Sequence, residues 1–223
     1  MEAIVLAGGL GTRLQSVVSD VSKPMAEINR KPFLAYLLDY LLVHEISKVI
    51  LCVGYKKELI QAYFQSEYKG IEIVYSVEEI FLGTGGAIKQ ALSMTQEKKV
   101  FVFNGDTLFD VDLKKFVHAM QTKKIALALK PMRDFERYGS VTLQGDMICL
   151  FEEKKFTKQG FINGGVYLME TDVFKVYQED IFSFESFLET QNELGGFVCD
   201  GYFIDIGIPV DYKKAQQDFK EMF

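Results

Sequence analysis

Ala3-Ile4-Val5-Leu6-Ala7-Gly8-Gly9-Leu10-Gly11-Thr12-Arg13 is the stretch that decides how the chain folds. Its apolar run has no polar alternation, so it reads as a strand buried on both faces, and it stops abruptly at glycines. Gly8, Gly9 and Gly11 leave backbone N–H groups uncovered by side chains, which suits phosphate oxygens. Arg13, and Lys23 ten residues later, supply the positive charge that such a ligand needs.

Two familiar phosphate loops are excluded by single residues. A dinucleotide fingerprint starting at Gly9-x-Gly11 requires a third glycine where Leu14 stands, and no acidic residue ends the second strand to hold a ribose. A Walker loop requires Gly-Lys-Ser/Thr, which does not follow.

Outward from this loop the chain alternates strand and helix. Pro32 opens a helix whose Leu34, Leu37, Leu38 and Leu41 repeat on one face, and Val49–Val53 is a second buried strand ended by Gly54. Lys57–Phe64 reads as helix, Ile71–Tyr75 as strand, Gly85–Leu92 as helix and Val100–Phe103 as a strand running into Asn104-Gly105-Asp106. Continuous apolar strands separated by helices imply a parallel sheet covered on both faces, with ligands at the carboxyl ends of the strands. After a helix over Asp112–Met120 the texture changes. Ile125–Leu129, Ser140–Leu143, Met147–Phe151 and Val166–Met169 are strands with little helix between them, and Gln144-Gly145-Asp146 reads as a hairpin turn. Tyr202–Ile206 is a late strand, and Pro209–Phe219 a closing helix. The expected fold is α/β: a Rossmann-like three-layer α/β/α arrangement with a predominantly parallel central mixed sheet and a small antiparallel second lobe. One domain is expected over 1–223, with its two halves at about 1–110 and about 111–223.

Composition narrows the function. Of 223 residues, 48% are hydrophobic and 25% charged, as in a globular domain with a sizeable core. The formal charge of −6 argues against nucleic acid as a partner, while a few lysines can still make a local anion site. No apolar run reaches membrane-spanning length and no secretion signal precedes the first strand, so the expectation is a cytoplasmic protein without a membrane partner. Cys52, Cys149 and Cys199 lack metal or disulfide spacing and are expected to be buried free thiols. His44 and His118 lie in helical stretches and read as structural.

Four carboxylates stand out. Asp106 and Asp205 both follow apolar strands, and as a pair beside a phosphate loop they can hold one Mg²⁺. Glu78 and Glu79 precede Leu82-Gly83-Thr84-Gly85-Gly86; one carboxylate there can accept from both guanine N1–H and the exocyclic amine, or serve as a solvated loop acid. Asn163-Gly164-Gly165 offers an amide and open backbone suited to sugar hydroxyls.

Ala7–Leu14 together with Lys23-Pro24-Met25 resembles the signature loop of sugar-1-phosphate nucleotidyltransferases, and Leu82–Ala87 resembles the base-binding loop of their mannose- and heptose-type members. Asn104-Gly105-Asp106, Glu152-Glu153-Lys154, Asn163–Tyr167 and Asp205-Ile206-Gly207 follow in the family's order, so the resemblance covers essentially the whole chain. It implies that Leu6, Ala7, Gly8, Gly9, Gly11, Thr12 and Arg13 hold the nucleotide, with Lys23 on the triphosphate, Glu78, Gly83 and Thr84 at the base, and Gly105 beside them. It implies Asp106 and Asp205 as Mg²⁺ ligands, Arg13, Lys23 and Asp106 as catalytic residues, and Gly139, Glu153, Lys154, Asn163 and Gly164 at the sugar phosphate. The implied substrates are GTP and a sugar 1-phosphate, with a homodimer as a further expectation. Thymidylyl, uridylyl or cytidylyl transfer, and a non-catalytic nucleotide-sugar sensor, are the alternatives. Lys155 stands where many members have proline, and Ile208 where many have threonine. The chain ends soon after its last helix, without the long extension of larger relatives, so no second activity is expected.

Overall fold

The structure is a computed structural model that describes residues 1–9 and 21–222. In chain order the strands and helices of the first half are β1 (Glu2–Leu6), β2 (Glu27–Ile28), β3 (Lys31–Pro32), α1 (Phe33–Val43), β4 (Lys48–Val53), α2 (Lys57–Phe64), β5 (Glu67–Tyr68), β6 (Ile71–Val77), α3 (Gly83–Leu92), β7 (Lys99–Asn104) and β8 (Thr107–Phe109). A 3-10 turn over Lys23–Met25 precedes β2. The second half contains α4 (Leu113–Ala119), β9 (Ile125–Phe135), β10 (Ser140–Gln144), β11 (Met147–Glu152), β12 (Thr157–Glu170), α5 (Phe184–Glu189), β13 (Leu194–Val198), β14 (Phe203–Asp205) and α6 (Pro209–Met222).

Among the described residues, ten strands form one mixed sheet in the order β10-β11-β13-β9-β12-β7-β1-β4-β6-β5. The run β7-β1-β4-β6 is parallel throughout, as the continuous apolar strands required. Its register brings Leu6 level with Cys52 on one side and Asn104 on the other, so three strands end together at the point where the glycine loop begins. Side chains on these strands alternate between two cores. Ala3, Val5, Val49, Leu51, Phe101 and Phe103 face α1, α2, α4 and α6, whereas Ile4, Ile50, Cys52, Val100 and Val102 face α3 and α5. That alternation produces the three layers.

The antiparallel strands extend the same sheet. β12 pairs with β7 from Val166↔Phe103 to Glu170↔Lys99, joining the halves, and with β9 along most of its length. β10 pairs with both β11 and β12, β11 touches β13 at Met147↔Gly195, and β13 runs parallel to β9. These pairings close a ring of β9, β12, β10, β11 and β13, which forms the second lobe. Between Asn163↔Leu129 and Tyr167↔Leu127, β12 advances four residues while β9 advances two, leaving a bulge with two extra residues.

Cys52 is buried, but the expectation for all three thiols needs correcting. Cys149 is exposed and Cys199 is partly so, although all three are free. Ile148 takes the inward position on β11, which turns its neighbour Cys149 outward. No described helix is long and apolar enough to cross a membrane.

Candidate active site

A cleft of about 310 Å³ opens at the carboxyl ends of β1 and β7, bounded by the first turn of α3. Leu6, Gly8 and Gly9 form its floor. Ala7 is buried behind them, its N–H donating to the Cys52 carbonyl at 2.9 Å. Gly11, Thr12 and Arg13 lie outside the described residues.

Glu78 directly follows β6 and lines this cleft. One carboxylate oxygen accepts from the Leu82 N–H at 3.2 Å, which steadies the turn into α3. The other lies so near the loop that a Cβ at Gly8 would fall 2.6 Å from it. A side chain at Gly8 would therefore displace the end of the Glu78 side chain. Burial pushes the Glu78 carboxyl above the usual range, partly offset by the Leu82 hydrogen bond. Its neighbour Glu79 points outward and pairs with Lys57 at 3.3 Å, so of the two acids only Glu78 lines the cleft.

The opposite wall carries charge. Lys23 Nζ meets Asp106 Oδ2 at 3.2 Å, with side-chain exposures of 14% and 28%. Gly105 closes the backbone behind this pair: its N–H donates to the Leu6 carbonyl at 2.9 Å, and a Cβ there would approach that oxygen to 2.5 Å. Asp205 sits beside Asp106 because β14 pairs with β8, Asp205 opposite Thr107, and the Ile206 N–H donates to the Asp106 carbonyl at 3.0 Å. Burial and the Asp106 charge raise the Asp205 carboxyl's pKa, against the Gly207 N–H, which donates to it at 2.7 Å, and Lys23. Two adjacent carboxylates facing one lysine form an oxygen-only donor set that suits a hard divalent cation supplemented by water or phosphate. Among the described residues no cluster of three or more metal-ligating side chains occurs.

Gly83 and Thr84 are at the start of α3 and line the cleft. Gly83 has a φ of +73°, and a Cβ there would fall 2.4 Å from the Phe182 carbonyl oxygen. The Thr84 hydroxyl is engaged within the protein, accepting from the Phe184 N–H at 2.8 Å and donating to Glu185 at 2.9 Å.

The residues expected at the sugar phosphate are more dispersed, and none of them lines this cleft. Gly139 follows Tyr138, and a Cβ on it would meet the Glu152 carbonyl oxygen at 2.6 Å. Glu153 and Lys154 are exposed in the connection from β11 to β12 and form no ion pair among the described residues. Their neighbour Glu152 is the tied acid, accepting from Ser140 at 2.6 Å and Lys155 at 2.7 Å. Asn163 stands at the β12 bulge, where its amide donates to the Tyr167 hydroxyl at 2.9 Å and its oxygen accepts from the Gly165 N–H at 3.0 Å. Gly164 leaves room for the Phe109 ring, and Gly165, with φ +71°, for the side chain of Asn104, a cleft residue.

Five cleft residues carry no assignment from the sequence: Pro24, Phe81, Ala87, Asn104 and Glu185. Asn104 appears there only as part of the Asn104-Gly105-Asp106 motif. Phe81 is 72% exposed at the mouth. Glu185 comes from α5, 101 residues after its partner Thr84, and only the helix-capping Ser183 marks its surroundings in the sequence.

The chain matches the family described as Nucleotidyl transferase over residues 2–221. It is 51% identical to the D-glycero-alpha-D-manno-heptose 1-phosphate guanylyltransferase of Aneurinibacillus thermoaerophilus, covering 99% of each chain. It is equally 51% identical to the protein of the same name from Campylobacter jejuni subsp. jejuni, over 95% of this chain and 97% of that one. The crystal structure of HddC from Yersinia pseudotuberculosis superposes with a TM-score of 0.91 at 37% identity, over 98% of this chain and 99% of that one. A second HddC structure, complexed with GMP-PN, gives a TM-score of 0.90. Matched almost from end to end, and half identical to relatives of its own length, the chain belongs to the nucleotidyl transferase family.

Proposed function

We propose that the protein joins D-glycero-α-D-manno-heptose 1-phosphate to the α-phosphate of GTP, giving GDP-heptose and pyrophosphate. The observation that carries this reading is the 51% identity, over 99% of both chains, to a guanylyltransferase of that specificity. The cleft agrees chemically. It offers a carboxylate acceptor at one end for the guanine N1–H and amine, and a lysine–aspartate pair at the other for phosphate.

An oxygen of the sugar phosphate attacks the α-phosphorus, and the bond from that phosphorus to the oxygen bridging the β-phosphorus breaks as pyrophosphate leaves. The attacking phosphate is already ionised at neutral pH, so no residue need act as general base. Catalysis then consists of alignment and charge neutralisation. Lys23 neutralises phosphate charge at the cleft, and Arg13 is assigned the same task from its place in the sequence. Asp106 and Asp205 would hold Mg²⁺, which supplies positive charge to phosphate oxygens when bound. Glu78 orients the base, and Gly139, Glu153, Lys154, Asn163 and Gly164 are assigned to the sugar phosphate. The reading places the work in the cytoplasm, where GTP is available, with a homodimer as the working state.

The test is pyrophosphate release from GTP, CTP, UTP and dTTP, each crossed with heptose, mannose and glucose 1-phosphates. The highest kcat/KM is expected for GTP with the heptose. A faster pair, or no release from any pair, overturns the assignment.

A further inference from the structure

We propose that Glu185 is a specificity-determining residue whose free carboxylate oxygen accepts hydrogen bonds from the hydroxyls of a sugar ring in the cleft. The inference rests on the function proposed above, because that reaction brings two such rings to one site: the ribose of the nucleotide and the ring of the sugar phosphate.

Glu185 lines the same cleft as Glu78, Lys23 and Asp106. Its Oε2 is fully occupied, accepting from Thr84 Oγ1 at 2.9 Å and from Ser183 Oγ at 2.8 Å. Oε1 has no hydrogen bond, and the carboxylate no ion pair, with the described residues. The side chain is thus held from one oxygen while the other is presented. Thr84 also accepts from the Phe184 N–H, so one hydroxyl ties α3 to α5 and aims the carboxylate at the same time. Behind it, Phe182 and Phe184 are buried against the start of α3. That packing is possible only because Gly83, Gly85 and Gly86 are bare: a Cβ on any of them would come within 2.4 Å of Phe182 or Asp180. Glu185 itself is exposed at the edge of this packing, with its carboxylate on the cleft.

The charge of Glu185 decides what it can face. An unneutralised carboxylate repels phosphate, and the phosphate-binding cation, Lys23, is paired with Asp106 instead. What Glu185 attracts is a neutral group rich in donors. The donors of the guanine edge fall to Glu78, which leaves sugar hydroxyls, each of which can donate to Oε1.

The experiment compares wild type, Glu185→Ala, Glu185→Gln, Thr84→Val and Thr84→Ser. Calorimetry measures binding of GTP, 2′-deoxy-GTP and 3′-deoxy-GTP, and steady-state kinetics measures KM for the sugar 1-phosphate and its deoxy analogues. Glu185→Ala should weaken one parent substrate by about ten- to a hundredfold, the range of a hydrogen bond to a charged group, and leave the analogue lacking the recognised hydroxyl nearly unaffected. Loss confined to the nucleotide series assigns Glu185 to the ribose, and loss confined to the other series assigns it to the activated sugar; either supports the proposal. Glu185→Gln keeps an oxygen for Thr84 and Ser183 and should shift the same selectivity less. Thr84→Val should shift it too, and Thr84→Ser should restore it. If every variant discriminates parents from deoxy analogues as wild type does, the proposal fails. Failure of the guanylyltransferase reading looks different: wild type would then release no pyrophosphate from GTP, whereas nucleotide binding still reports on Glu185.

Discussion

Asp106 lies against Lys23 on one side and Asp205 on the other. Asp106→Asn keeps the shape, removes a charge and leaves Lys23 without its partner. We expect kcat to fall by about 10²- to 10³-fold, the loss typical of one charge-stabilising contact, about 2.7–4 kcal/mol. Pyrophosphate release checks this, with circular dichroism to show that the fold persists. Glu78 gives a pH signature. Burial holds its carboxyl above the ordinary range, and accepting two guanine donors requires the ionised form. Affinity for a non-hydrolysable GTP analogue should therefore fall as pH drops through this raised pKa, at higher pH than a solvated glutamate would give. In Glu78→Gln that acid limb should vanish, and the preference for GTP over the other triphosphates should narrow. The unliganded protein follows the opposite sign. An acid whose pKa is raised by folding contributes stability below its unfolded pKa, and loses it as pH rises through the folded one. Glu78→Gln should therefore melt higher than wild type at neutral pH.

At the scale of elements, α3 depends on absent side chains. Gly85→Ala would place a methyl 2.2 Å from a Phe182 ring carbon, so the ring and α5 must shift. Overpacking of this kind costs about 1–3 kcal/mol. A melting scan should show a fall of about 2–4 °C for each of those kcal/mol. Because α5 carries Glu185, sugar selectivity should weaken in the same variant. The elements that the sequence reveals well are those whose burial is written locally. The strands β1, β4 and β7 are uninterrupted apolar runs, and α2 has the very limits that its spacing indicates. β13 is obscured by Gly195 and Gly196, whose lack of side chains is set by neighbours elsewhere in the chain: a Cβ on Gly196 would meet Leu143 at 2.4 Å. α5 is only six residues long and shows no full helical repeat. The site divides in the same way. Glycines and carboxylates at strand ends are legible because strand ends are where parallel sheets bind ligands. Glu185 enters the cleft through tertiary packing, and no spacing rule reaches across 101 residues.

For the whole molecule, the halves at about 1–110 and 111–223 share one sheet through the five-residue ladder of β7 and β12. The helices α1 and α6 further bind the ends of the chain together, with Phe219 stacked near Phe33 at 6.0 Å and the Tyr212 hydroxyl donating to the Glu27 carbonyl at 2.6 Å. Neither half can open without exposing the core of the other. We therefore expect one calorimetric unfolding transition, with van't Hoff and calorimetric enthalpies equal; two resolved transitions would mean two independent units. An added nucleotide should move that single transition as a whole.

The bulge in β12 also limits how the sequence can change in length. Beyond it, Val166 and Leu168 face one core while Tyr167 and Met169 face the other. Loss of a single residue at positions 164–165 would exchange these occupants, sending a tyrosine into space shaped for a valine along the strand that joins the two halves. Loss of two residues would keep the faces but straighten the strand, removing the turn of backbone that lets Gly165 approach Asn104. Relatives that share this cleft should therefore keep a constant residue count between Asn163 and Tyr167.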